Sequence, residues 1–267
     1  MTTSLAASWP GSPAFVVAHV DGSQVTPLLT HGDLDAVRPW ASVSKVAVGL
    51  GVMRAVEAGL VSLNDAVGPP GATLAHLLSH ASGLGYEVSD RVVPVGTRRV
   101  YSNCGIDHAA AHVAEADPLE WLRDSVLRPL ALPATDVEER VAAGVHGPTS
   151  ALVRVGAELL SPTLMSLAAR DTMITPFLPL LDGITPPFGR QTPNFWGLGP
   201  EIRGAKRHWM GDWPDASFGH FGRSGALLLC DPTTQVVVAA TSTEPFGPWT
   251  VTLWPTWINE IRNAALS

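Results

Sequence analysis

Two pairs of apolar, β-rich runs, one pair near each end of the chain, constrain the fold more than any other feature. FVVAHV (15–20) and QVTPLL (24–29) flank Asp21-Gly22-Ser23, while ALLLC (226–230) and QVVVAATS (235–242) flank Asp231-Pro232-Thr233-Thr234. Runs of this kind separated by turn residues read as hairpins. The residues between them follow a helical rhythm, with apolar side chains recurring every three or four positions from Val43 to Leu60 and further helical segments at 73–80, 106–116, 118–130 and 161–174. A proline-rich connector, ITPPFGRQTPN (184–194), leads back to the strands, and 256–266 reads as a closing amphipathic helix. Strands at both ends with helices between them place the two termini in one antiparallel sheet. The expectation is an α/β (α+β) domain with a sheet lobe from 1–39 and 194–267, a helical lobe from 40–193, and a ligand cleft between them.

A chain of 267 residues with 46% hydrophobic content is long and apolar enough to bury a large core. Its net charge of −7 leaves no basic footprint for nucleic acid, so a small neutral or weakly anionic ligand is the expected partner. The N-terminus lacks a basic segment followed by an apolar one, and no window approaches the ~20 apolar residues of a membrane span. These features point to a soluble, cytoplasmic protein. Cys104 and Cys230 are far apart in sequence and read as two buried thiols.

Lysine is scarce: Lys45 and Lys206 are the only two. The first lies in WASVSK (40–45), at the start of the Val43–Leu60 helix, so Ser42 and Lys45 form a Ser-x-x-Lys pair one turn apart. One reading makes Ser42 a simple N-cap. The other makes it a nucleophile, since the positive helix end and burial both lower a lysine pKa and so let Lys45 accept the serine proton. The Ser42 backbone N–H, also at the helix start, would then be an oxyanion donor. Tyr101-Ser102-Asn103 precedes a helical segment, and His220-Phe221-Gly222 precedes the C-terminal hairpin. Taken singly, these are a packed tyrosine with an asparagine turn, and a structural histidine beside a glycine that permits close approach of a ligand. Two i,i+4 histidine pairs, His76/His80 and His108/His112, have metal-ligand spacing but no glutamate and no third ligand, so neither a metal nor another cofactor is expected.

In this order, the three elements resemble the serine β-lactamase-like superfamily, closest to its branch of class C β-lactamases, D,D-peptidases and family VIII carboxylesterases. TLAHLLSHASGL (73–84), WLRDSVLRPLALPAT (121–135) and NFWGLG (194–199) extend the similarity, which runs from about 38 to 243. The resemblance implies an acyl-enzyme mechanism with Ser42 as nucleophile and Lys45 as its proton acceptor or electrostatic partner. Tyr101 would relay protons to the leaving group and activate the deacylating water, and Asn103 would orient Lys45 and the substrate. His220 would line the sheet side of the cleft, and the Arg223 N–H would be the second oxyanion donor.

Two departures bear on the substrate: the span from Asn103 to His220, shorter than in the family, which implies trimmed loops and a more open cleft for small substrates or loose specificity, and the third motif. Where the family offers threonine in the third motif, this chain has Phe221, which donates no hydrogen bond, so a bound carboxylate would lose a partner worth ~1–3 kcal/mol. That favours small carboxylic esters. Arg223, beside Gly222, supplies the counter-argument for a β-lactam or D-amino-acid peptide or amide. Trp196, Trp209 and Trp213 precede His220 and could wall an apolar pocket or fill the core. A non-catalytic binding protein that retains the fold is the remaining alternative, and oligomeric state is not legible.

Overall fold

In the computed structural model, which describes residues 6–88, 90–114 and 116–267, the two terminal hairpins meet in one sheet. In chain order its first strands are β1 (Ala14–Asp21) and β2 (Gln24–His31). β3 (Arg38–Pro39), β4 (Asp136–Val137) and β5 (Val145–Gly147) form a small three-stranded sheet, and β6 (Gly183–Ile184) pairs with β7 (Arg190–Gln191). β8 (Glu201–Ile202), β9 (Phe218–Phe221), β10 (Leu227–Asp231) and β11 (Val236–Thr241) complete the main sheet, whose order is β2-β1-β11-β10-β9-β8 with every neighbour antiparallel. The helices are α1 (Ser44–Glu57), α2 (Leu74–Leu78), α3 (Asn103–Val113), α4 (Pro118–Leu122), α5 (Thr149–Leu160), α6 (Leu167–Ile174) and α7 (Pro248–Leu266).

The near-continuous apolar runs of β1, β10 and β11 follow from burial on both faces. Successive side chains alternate across a pleated strand, so one run feeds two cores. Val16, Ala18, Leu228, Cys230, Val237 and Ala239 enter the core under α1 and α5. Their neighbours Phe15, Val17, Leu227, Leu229, Val236 and Val238 pack against Trp254, Trp257 and Ile261 of α7. Full burial of a side chain of this size is worth about 1.5–3 kcal/mol, so this sandwich fixes the sheet that carries the site. α5, which lies inside the 40–193 segment, rests directly on the sheet: a Cβ at Gly156 would lie 2.3 Å from Val237 Cγ2.

Several helix boundaries differ from the periodicity, each for a local reason. The 118–130 segment is α4, capped by Asp117, followed by a π-type turn over Arg123–Leu127. The 161–174 segment becomes helical only at Leu167, because the Glu158 carboxylate takes the N–H groups of Thr163 and Leu164 and Ser166 caps the new helix. α7 starts earlier than expected, with Pro248 in its first turn, where a missing N–H costs nothing. Both cysteines are free thiols, Cys230 buried and Cys104 partly so. Among the described residues no helix is long and apolar enough to cross a membrane.

Candidate active site

Ser42 sits in a single 3₁₀ turn, Ala41–Val43, that runs straight into α1. The cap positions of turn and helix are Trp40 and Val43, and neither makes a side-chain cap bond. The simple N-cap reading of Ser42 is therefore corrected: Ser44 does the local work, donating to Ala41 O at 2.6 Å and accepting the Val145 N–H at 3.1 Å. The turn is entered through Ala41 at φ 47°, a left-handed conformation costing about 1–3 kcal/mol in a non-glycine residue. Close packing holds it there. Trp40 donates from its indole to Gly147 O at 3.0 Å, and the backbone of Gly222 presses against Trp40 so closely that a Cβ would lie 2.2 Å from Trp40 O.

Lys45, in the first turn of α1, is fully buried, and its Nζ reaches three oxygens: Ser42 Oγ at 3.2 Å, Asn103 Oδ1 at 2.6 Å and Ala142 O at 2.9 Å. Burial pulls its pKa down to about 7, with Asp107 and Glu87 opposing and Arg140 assisting. The two carbonyl acceptors can only accept. A neutral amine spends its two N–H bonds on them and is left with its lone pair directed at Ser42 Oγ.

Tyr101 and His220 line the same cavity as Ser42. The His220 Nδ1 lies 2.7 Å from Phe221 O, an acceptor, so Nδ1 carries the ring proton and Nε2 accepts the Tyr101 hydroxyl at 3.3 Å. Burial, reinforced by Lys45, lowers the His220 pKa to about 3, and burial pushes the Tyr101 phenol well above its ordinary value against the hydrogen bond from Ser42. At neutral pH the histidine is uncharged and the phenol protonated, so Lys45 is the member of the group able to take a proton. Asn103 opens α3 behind its cap Ser102, whose Oγ accepts the Gly105 N–H at 2.9 Å and whose own N–H donates to His80 Nδ1 at 3.2 Å.

A cavity of about 500 Å³ opens over Ser42, with Tyr86, Tyr101, Trp196, Phe221 and Phe246 among its walls and Arg98 and Arg223 at its edge. Of the three tryptophans singled out from sequence, only Trp196 lines it. Trp209 is fully buried behind Phe221, its indole donating to Glu201 Oε2 at 2.7 Å, and Trp213 donates to Ile258 O within the α7 core. That correction has a physical cause: Glu201 in the core gathers Trp209, His208 and Lys206 around one ionised carboxylate. Gly222 contributes no ligand-facing group either. Its N–H closes a turn on Ala226 O at 2.7 Å, and what its missing side chain admits is the Trp40 backbone rather than a ligand. The N–H groups of Ser42 and Arg223 have no acceptor among the described residues.

The histidine pairs have other engagements. His76 bonds Thr73, His112 bonds Asp65, and His80 receives Ser102, so neither pair shares a ligand position. The residues that sequence reasoning missed are Glu87, Asp107, Arg140 and Ala142 around Lys45, and Tyr86 and Phe246 in the cavity wall. Asp107 lies one turn beyond Asn103 in α3 and the others lie on loops, and no motif marks any of them.

A Ser-x-x-Lys pair with its lysine buried, and a tyrosine and a strand histidine lining the same cavity, is the arrangement the fold builds here. The family model for Beta-lactamase matches residues 12–262, and the chain belongs to that family. A β-lactamase from Mycobacterium bovis is 33% identical and superposes with a TM-score of 0.93 over 99% of both chains. A penicillin-binding protein from Bacillus halodurans (14% identity, TM-score 0.75, 97% of this chain and 98% of that one) shares the fold. So does EstCE1, a hydrolase with promiscuous acyltransferase activity (14% identity, TM-score 0.74, 93% of each chain). No curated protein matches the chain significantly.

Proposed function

We propose that the protein is a serine hydrolase that forms an acyl-enzyme on Ser42 and acts on small carboxylic esters. The observation that carries this reading is the Lys45 amine, desolvated to a pKa of about 7 and 3.2 Å from Ser42 Oγ. In the reaction, neutral Lys45 takes the Ser42 proton as Oγ attacks the ester carbonyl carbon, and the oxyanion forms toward the N–H groups of Ser42 and Arg223. The proton then passes through the Tyr101 hydroxyl to the departing alkoxide. Water repeats the sequence on the acyl-enzyme, returning its proton to Ser42 as the carboxylic acid leaves. His220, uncharged, accepts the Tyr101 hydroxyl at rest, and the hydroxyl turns from Nε2 to the alkoxide as it gives up its proton.

The preference for esters rests on Phe221, which sits among Phe188, Trp209, Phe246 and Trp254 and offers the substrate no donor. A second reading, β-lactamase or D-amino-acid-specific peptidase or amidase, draws on Arg98 and Arg223, two exposed guanidinium groups at the cavity edge suited to a carboxylate. The test is a panel of p-nitrophenyl esters, a chromogenic cephalosporin and a D-alanyl peptide, run on wild type, Ser42→Ala and Lys45→Ala. Ester turnover lost in both variants, with a fluorophosphonate adduct on Ser42 of the wild type, is the expected result. Cephalosporin turnover exceeding ester turnover selects the second reading, and no turnover or adduct at all leaves a binding protein.

A further inference from the structure

Lys45 works as a base only if its two N–H bonds are tied down, so what ties them down matters. Asn103 is the weak point: an amide can present either its oxygen or its NH₂ to Lys45, and the wrong face would oppose N–H to N–H. Glu87 removes the choice. Its Oε1 lies 2.6 Å from Asn103 Nδ2, and a carboxylate only accepts, so the NH₂ faces Glu87 and Oδ1 faces Lys45. Arg140 holds Glu87 through Oε2 at 2.5 Å and is itself held by Asp107 through Nε at 3.0 Å. Asp107 also accepts the Ala142 N–H at 3.0 Å, and Ala142 supplies the second fixed acceptor of Lys45.

We propose that Glu87, Arg140 and Asp107 form a brace that fixes both carbonyl acceptors of the Lys45 amine, with Glu87 the positioning residue that orients the Asn103 amide. This rests on Ser42 and Lys45 acting as proposed above. Glu87 does not line the cavity, so its effect on the reaction passes through Asn103. The groups that face Lys45 are Tyr101 and Asp107 before and within α3, His220 of β9, His80 beyond α2, and Glu87 and Arg140 from loops. The phenol is protonated and both histidines are neutral, so the standing charge around the amine comes from the brace. Two carboxylates against one guanidinium partly offset the burial of Lys45.

Glu87→Ala and Glu87→Gln separate orientation from charge. In both, the labelling rate of Ser42 by a fluorophosphonate and p-nitrophenyl acetate hydrolysis are followed from pH 5 to 9, alongside thermal melting of the full chain. In Glu87→Ala the Asn103 amide is free to turn, and the plateau kcat should fall about 10²-fold with KM little changed, the scale of a catalytic group displaced by an ångström. Glutamine still offers an oxygen to Asn103 Nδ2, so Glu87→Gln should recover most of that plateau. It lacks the negative charge, so its inflection should move to lower pH. An ordinary surface ion pair would change the melting temperature and nothing else: Glu87→Ala with wild-type plateau and inflection overturns the proposal. Should Glu87→Ala not fold, an unmoved inflection in Glu87→Gln overturns it instead. A wild-type chain that never labels overturns the hydrolase reading and this one with it, whereas a labelling wild type with unaffected variants overturns this one alone.

Discussion

The pH dependence of acylation is the sharpest consequence of the site. Lys45 has a pKa of about 7 in place of its ordinary 10.5 because burial removes its hydration and its direct contacts are uncharged oxygens. At pH 7 about half of the molecules then hold a neutral amine, against about three in ten thousand for an ordinary lysine. Only the neutral form can accept the Ser42 proton. The acylation rate should therefore rise about tenfold per unit from pH 5 to 6, bend near 7 and level off above about 8. Stopped-flow release of p-nitrophenol, or fluorophosphonate labelling under single-turnover conditions, measures that step without contamination from deacylation. Lys45→Arg keeps the cation but removes the base, and its loss at pH 7 should reach about 10²–10⁴-fold, the usual contribution of general-base catalysis. Tyr101→Phe should lower the plateau and leave the inflection near 7, since the phenol stays protonated throughout. A flat profile from pH 5 to 8, or an inflection above 9, would refute the assignment of Lys45 as the base.

Three further substitutions test the surroundings of the site. Lys206→Met takes the lysine partner from the buried Glu201 carboxylate, leaving it His208 and Trp209, and should cost about 3–5 kcal/mol in chemical denaturation; a loss below 1 kcal/mol would show that the pair is not what holds that region. Gly156→Ala places a Cβ 2.3 Å from Val237 Cγ2, so it should destabilise by about 1–3 kcal/mol while leaving ester turnover per folded molecule intact. Phe221→Thr restores a hydroxyl to the third motif. It should shift the ratio of kcat/KM toward carboxylate-bearing substrates over neutral esters by about tenfold or more, the worth of one hydrogen bond to a charged group. An unchanged ratio would mean that Phe221 does not face the substrate.

Much of the fold is legible in sequence because the main sheet is local in its logic: apolar runs of strand length, divided by Asp-Gly-Ser and Asp-Pro-Thr-Thr, can only be hairpins, and burial on both faces explains why they hardly alternate. The main chemical pair is legible for a similar reason, since Ser-x-x-Lys places two side chains on one helix face whatever the rest of the chain does. What is hidden depends on long-range contacts. The 3₁₀ turn under Ser42 exists because Gly222 and Gly147, far along the chain, pack on Trp40. Trp209 reads as a pocket wall from its position before His220, yet Glu201 draws its indole inward. Glu87 and Arg140 stand 53 residues apart, and only the folded chain brings them together at Asn103.

The two lysines of the chain show what the site requires. Both are fully buried, and burial lowers the pKa of each, to about 7 for Lys45 and about 8 for Lys206. Their contacts then diverge. Lys206 lies 2.6 Å from the Glu201 carboxylate, which burial would neutralise but which Lys206 and His208 hold ionised, and the result is an ion pair that locks the core behind the cavity. Lys45 touches only neutral oxygens, and its carboxylates stand one residue further out, on Glu87 and Asp107. Linkage fixes the sign of the cost. The folded pKa lies below the unfolded one, so the unfolded state binds more protons between about 7 and 10.5; the penalty is complete below pH 7 and relieved as pH rises through that window. At about 1.4 kcal/mol per unit, the shift amounts to roughly 5 kcal/mol, comparable to the whole stability of a modest domain. A carboxylate in direct contact favours the protonated amine, as Glu201 does for Lys206, and would hold the proton that Lys45 has to lose. A brace set one hydrogen bond away is the arrangement that keeps Lys45 oriented while leaving it free to lose its proton.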